Sequence, residues 1–211
     1  MNNVFLSKVF KWFGIGLLIT FLVAFLVSTN EKLLIVVFSG STMLVIVLLE
    51  LFCALWLSLR INKMQETTAK MLYIGYTALT GLTFSSIFVL YDLTSIIWIF
   101  LATSLIFILF SIIGKNIKVS LNNLGIFLFI ALLSIIILEI INIFIMNNTI
   151  DLVLCIACLI VFIGYVAYDI QKISRLDTNN DNLAIIGAFN IYLDFINIFV
   201  RLLQLFGKRN D

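Results

Sequence analysis

Apolar runs long enough to cross a bilayer follow one another along this sequence, separated only by short polar breaks. A bilayer core takes about 20 residues per helix. The 211 residues therefore accommodate six or seven spans with short loops, and no stretch is polar enough to form a water-soluble domain. Hydrophobic residues make up 63% of the chain and charged residues 11%, against roughly half and a quarter in soluble domains. The expectation is one all-α, multi-pass integral membrane domain covering residues 1–211.

Reading the runs between their polar breaks predicts spans over about 12–29, 33–59, 71–91, 94–113, 124–146, 150–171 and 183–206. The first run lacks a small-x-small cleavage site and more spans follow it, so it reads as a retained helix rather than a signal sequence. Basic residues test the map. Lys8, Lys11, Arg60, Lys63, Lys70, Lys115, Lys118, Lys172 and Arg175 fall on one side of it, whereas the opposite loops hold only Lys32. This asymmetry places the N-terminus in the cytoplasm. A last segment that crosses puts Lys208 and Arg209 outside, and a re-entrant one does not. Leu183–Phe206, at about 1.5 Å per residue, outreaches a bilayer core of about 30 Å, which favours a seventh span.

Several chemistries are excluded at once. The chain has no histidine, which removes Ser-His triads, His-ligated zinc or haem, and imidazole proton relays. A net charge of +2, carried between apolar runs, orients spans rather than coating nucleic acid, so no nucleic-acid partner is expected. Cys53, Cys155 and Cys158 all lie inside apolar runs and make no disulfide framework. Cys155-Ile-Ala-Cys158 spells C-x-x-C, but within an apolar helix it reads as small packing residues.

Carboxylates are what remain for proton chemistry. A charge in hydrocarbon costs several kcal/mol, so each intramembrane acid is a functional candidate. Four qualify: Glu50, Glu139, Asp169 and Asp194. On the last segment Gly187, Asn190, Asp194, Asn197, Arg201 and Gln204 recur at spacings of 3, 4, 3, 4 and 3. That puts its polar side chains on one helical stripe. In lipid such a stripe must face protein or a watery path. An interfacial amphipathic helix is the alternative, but its polar face would be richer in Lys and Arg. Glu139 has Asn142 one turn on, which suggests a polar patch facing the bundle. Protonated interhelical hydrogen bonding accounts for Glu50 and Glu139 as well as transport does.

Three segments carry a resemblance. Gly187-Ala-Phe-Asn-Ile-Tyr-Leu-Asp194-Phe-Ile-Asn197-Ile-Phe, with Leu202 and Leu203 after it, resembles the closing signature of the Bax inhibitor family, the transmembrane Bax-inhibitor-motif proteins. Tyr168-Asp169-Ile170-Gln171 with Ile173 resembles the family's other signature, in which threonine is commoner at the Ile170 position. The small-polar stretch Tyr76–Ser86 is similar to its third helix. The resemblance runs in order from about residue 8 to the end. It implies seven transmembrane helices, six of them wrapped as two three-helix layers around the last. It also implies a passive, pH-sensitive calcium leak. In that family the acids matching Asp169 and Asp194 form a hydrogen-bonded pair that senses pH, with an arginine matching Arg60 as their gate partner. The Arg60 match rests on its position at the end of the second span. Richness in Ile, Asn and Lys suggests an AT-rich bacterial genome, and hence the plasma membrane.

The physics is compatible with that implication. Two carboxylates in low dielectric cannot both ionise readily, so they share a proton and titrate as a unit. With one proton the pair carries −1, which Arg60 would neutralise. Without it, −2 can attract a hard cation such as calcium, with Asn190, Asn197 and carbonyl oxygens as further donors and Asp169 and Asp194 as metal ligands. No resident cofactor is expected; the partners are the bilayer, calcium and protons. One tension stands: Asp194 lies mid-segment and Asp169 nearer an end, a depth difference of about 5 to 10 Å. Tilt, or a sixth helix continuing past Lys172, has to close it.

Two other readings compete. Leu193-Asp194 and Tyr168-Asp169 echo intramembrane aspartyl proteases, but those carry Gly-x-Gly-Asp and Pro-Ala-Leu motifs and this chain has no proline, so no enzyme activity is expected. The third reading is an interaction protein that modulates other membrane complexes or stress responses, its acids serving structure.

Overall fold

A computed structural model describes residues 3–176 and 178–210. Among these residues the chain forms eight α-helices: α1 (Asn3–Ser28), α2 (Glu31–Phe38), α3 (Gly40–Arg60), α4 (Glu66–Leu90), α5 (Leu93–Asn116), α6 (Asn122–Ile145), α7 (Asn148–Ser174) and α8 (Asp181–Phe206). A 3-10 turn, Ile61–Lys63, follows α3. Every helix except the short α2 is long and apolar enough to cross a membrane. The fold is thus all-α, with seven membrane-spanning helices.

The second apolar run is divided, where the sequence suggests one span over 33–59. Ser39 stands between α2 and α3 in an extended conformation (φ −61°, ψ 134°). Its hydroxyl lies 2.9 Å from Val36 O and 2.8 Å from Thr42 Oγ1. The Ser-Gly-Ser-Thr stretch at 39–42 competes for backbone hydrogen bonds and lacks helix propensity, which ends one helix and starts another inside an apolar run.

Asparagines cap the helices that follow three of the other breaks. Asn30 caps α2, accepting from Lys32 N and Leu33 N, and Asn147 caps α7 through Thr149 N and Ile150 N. Asn180 Oδ1 accepts from Asn182 N and Leu183 N at the start of α8. Each satisfies amides that a helix start leaves without partners.

The helices pack as two compact units, and α8 contributes to both: its residues through Tyr192 to the first, those from Leu193 on to the second. In the first unit α4 packs against α1 and α3. Gly81 of α4 lies against Thr20 and Val23 of α1, and Gly16 of α1 lies against the Tyr73 ring of α4. Tyr192 is buried here, its hydroxyl 2.6 Å from Thr20 Oγ1. The Thr20 proton goes to Thr77 O (2.9 Å), so Tyr192 is the donor to Thr20. Tyr73 and Tyr76 meet the Tyr192 ring edge-on. At the start of α8, Asn182 Nδ2 donates to Ile61 O and Met64 O, and Lys8 pairs with Asp181 at 2.6 Å.

In the second unit α6 packs on α7, with Gly125 beneath the Tyr168 ring and Leu128 against Gly164. Gly114 of α5 lies directly on the Ala167 backbone of α7. Phe195 of α8 meets Phe100 and Phe107 of α5.

Candidate functional site

The second unit brings Asp169 and Asp194 together. Asp169 sits five residues before the end of α7, which continues past Lys172 to Ser174, so the helical continuation needed to bring it level with Asp194 is present. Both side chains are buried, at 7% and 4% exposure, and close enough for the charge of Asp169 to act on Asp194. Asp194 Oδ2 is buried without a hydrogen-bond partner. A carboxylate oxygen in that condition is costly unless a proton or a cation serves it. The helix residues around them are apolar and buried as well: Val166, Ala167 and Ile170 on α7, and Phe195 and Ile198 on α8.

The remaining stripe residues take separate roles. Asn190 is half-buried in the first unit. Asn197 Nδ2 donates to Leu193 O one turn back on α8 (2.8 Å), so its amide nitrogen serves the helix itself. Two turns beyond Asp194, Arg201 Nη2 binds Glu139 Oε1 of α6 at 2.6 Å, and Nη1 reaches Gln204 Oε1 at 3.2 Å. Glu139 is therefore held by an ion pair, not by the polar patch with Asn142 that their spacing suggests. Asn142 turns instead to the α6–α7 connection, where it accepts from Asn147 N and donates to Asn147 O and Asp151 Oδ1. The Glu139–Arg201 pairing is invisible in the sequence except as two opposite charges in separate apolar runs.

Glu50 lies on α3 in the first unit, 3.2 Å from Thr83 Oγ1 of α4. That hydroxyl also lies 2.9 Å from Thr80 O, and its single proton serves one of the two acceptors. Arg60 is the exposed last residue of α3. Cys155 of the C-x-x-C stretch points its thiol at Arg201 O and Gln204 Oε1, and both cysteines are buried. Among the described residues no cluster of three or more Cys, Asp or Glu side chains is placed to hold a metal. A cation at Asp169 and Asp194 would draw its other ligands from carbonyls, amide oxygens or water.

Comparison with known proteins gives a consistent result. Residues 2–211 match the family described as inhibitor of apoptosis-promoting Bax1. The inner membrane protein YbhL of Escherichia coli K12 is 34% identical over 216 residues, which cover 98% of this chain and 92% of YbhL. An uncharacterized protein of Borreliella burgdorferi is 33% identical over 219 residues, covering 100% of this chain and 94% of that one. One from Deinococcus radiodurans is 32% identical over 214 residues, covering 99% and 92%.

Proposed function

Since this chain belongs to the Bax inhibitor family, we propose that it is a passive cation leak of a bacterial plasma membrane, with calcium the expected ion, controlled by a proton shared between Asp169 and Asp194. The observation that carries the reading is the buried acid pair with one carboxylate oxygen left without a partner. Such a pair is stable holding one proton at an overall charge of −1. Losing that proton doubles its charge and makes it a site for a hard cation. Proton occupancy then biases which packing of α7 against α8 is favoured. Arg60 takes the part the family resemblance implies for it, the positive charge that answers the pair. The reaction is transport, without covalent chemistry or a resident cofactor.

The test is calcium flux into vesicles holding the purified chain, measured across a range of pH. Flux that changes with pH in the wild type and loses that change in Asp169→Asn and in Asp194→Asn supports the proposal. Wild-type pH dependence in both variants, or no flux at all, overturns it. A stable co-purifying protein partner in the absence of flux would instead favour the interaction reading. Arg60→Gln tests the gate separately: a pH profile identical to wild type removes Arg60 from the mechanism while leaving the acid pair in it.

A further inference from the structure

The second unit carries a basic surface that the leak does not use. Gln171, only 4% exposed, clamps the α5–α6 connection onto the end of α7. Its Nε2 donates to Ile117 O (3.0 Å) and Val119 O (2.8 Å), and its Oε1 accepts from Leu121 N (2.8 Å). Arg175 adds a second clamp, Nη2 donating to Lys118 O at 2.9 Å and to Ile117 O and Val119 O at 3.3 Å. The connection between two spans is therefore pinned to a third helix, and its lysine stands beside that helix's arginine.

Four cations result on one end of the unit. Lys115 lies in the last turn of α5, Lys118 in the clamped connection, and Lys172 and Arg175 at the end of α7; all four are exposed. None forms an ion pair among the described residues, whereas in the first unit Lys8 pairs with Asp181 and Lys70 with Glu66. Arg175 spends Nη2 on the connection. The acids of this unit stand elsewhere: Asp169 and Asp194 are buried, Glu139 is paired with Arg201, and Asp151 is at the opposite end of α7. Two helix C-termini meet here, each equivalent to about half a negative charge, and the N-terminus of α6 opposes them. Four full charges outweigh that sum. Lysines that only orient a protein in its membrane need no fixed arrangement; these are held in one by Gln171 and Arg175.

We infer that Arg175, Lys118, Lys172 and Lys115 form a binding surface for the phosphate of an anionic lipid headgroup. The position favours a lipid over a soluble phosphate. The surface lies where three membrane-spanning helices end, and Lys172 sits 5.9 Å over the Tyr168 ring, an amphipathic side chain of the kind that settles at headgroup depth. Polybasic groups at such an edge recognise anionic lipid through charge, each lysine adding a near-equal share.

The test uses the full chain in nanodiscs of mixed phosphatidylglycerol and phosphatidylcholine, reading by native mass spectrometry which lipid stays bound after release. The wild type should retain phosphatidylglycerol in preference, and each lysine changed among Lys115→Gln, Lys118→Gln and Lys172→Gln should weaken retention by about fivefold. Lys32→Gln, at an exposed residue in the first turn of α2, should leave it unchanged. Among the described residues these lysine side chains make no hydrogen bonds that hold the fold. Should the triple variant still fold poorly, the single charge reversal Lys118→Glu makes the same test. Equal retention of phosphatidylglycerol by wild type and variants overturns the inference. So does its displacement by inorganic phosphate, which would assign the surface to a soluble anion.

Discussion

Through Tyr192, the buried contacts of α8 in the first unit are neutral: a hydroxyl relay from Tyr192 through Thr20 to Thr77 O, and the rings of Tyr73 and Tyr76 against Tyr192 and Phe189, with the half-exposed Lys8–Asp181 pair at the helix start. From Leu193 on, the second unit holds the same helix by ionisable ones, Asp194 beside Asp169 and Arg201 on Glu139. A neutral relay is satisfied at every pH a cell meets. A set of buried and half-buried acids and bases is stable only in particular protonation states, because charge in an apolar interior must be matched. One helix thus carries neutral buried contacts along its first stretch and ionisable ones along the next.

The largest expected effect lies in the charged half. Arg201→Leu leaves Glu139 without its partner and should cost about 3 kcal/mol, read as a fall in thermal stability in detergent. The double variant Glu139→Leu with Arg201→Leu should recover most of it. If the double variant is as unstable as the single, the ion pair is not what holds that half.

Next comes Gly114, whose added methyl would collide with the Ala167 backbone. Gly114→Ala should destabilise by about 2 kcal/mol. Gly75→Ala on α4, where nothing lies within 4 Å, should change stability little. Equal effects at both positions would deny that α5 and α7 meet at Gly114.

In the neutral half, Tyr192→Phe removes one buried hydrogen bond, about 1 kcal/mol, and should leave the pH profile of flux unchanged. A shifted profile would erase the distinction between the halves. Smallest of all, breaking the Lys8–Asp181 pair, whose side chains are 37% and 36% exposed, should cost about 0.5 kcal/mol and vanish at high salt.

Local signals carried far in this chain. The polar stripe on α8 was legible because helical period is a property of neighbouring residues, and Asp194 is buried as that stripe required. The interfacial alternative for this segment fails, since Ile185, Phe189, Ile191 and Leu203 are buried as well: α8 is enclosed by protein rather than laid on a surface. The break at Ser39 was present as a Ser-Gly-Ser-Thr stretch, but such residues are tolerated within membrane helices and do not announce a break by themselves. Glu139 and Asn142 share a helix face by spacing, yet Arg201 took one and the α6–α7 turn took the other. The clamp by Gln171 left no trace in the sequence, because it joins residues fifty apart.

By itself the sequence determined a multi-pass membrane protein with seven spans, and which side of the last helix is polar. Hydropathy and helical period are summed over residues close in the chain, so no partner is needed to read them. Only the tertiary structure decided that Asp169 meets Asp194, that Glu139 is claimed by Arg201, and that Lys118 stands beside Arg175. Those outcomes depend on which helices lie side by side and at what register. In an apolar medium many registers bury similar surface, and the few polar groups choose among them.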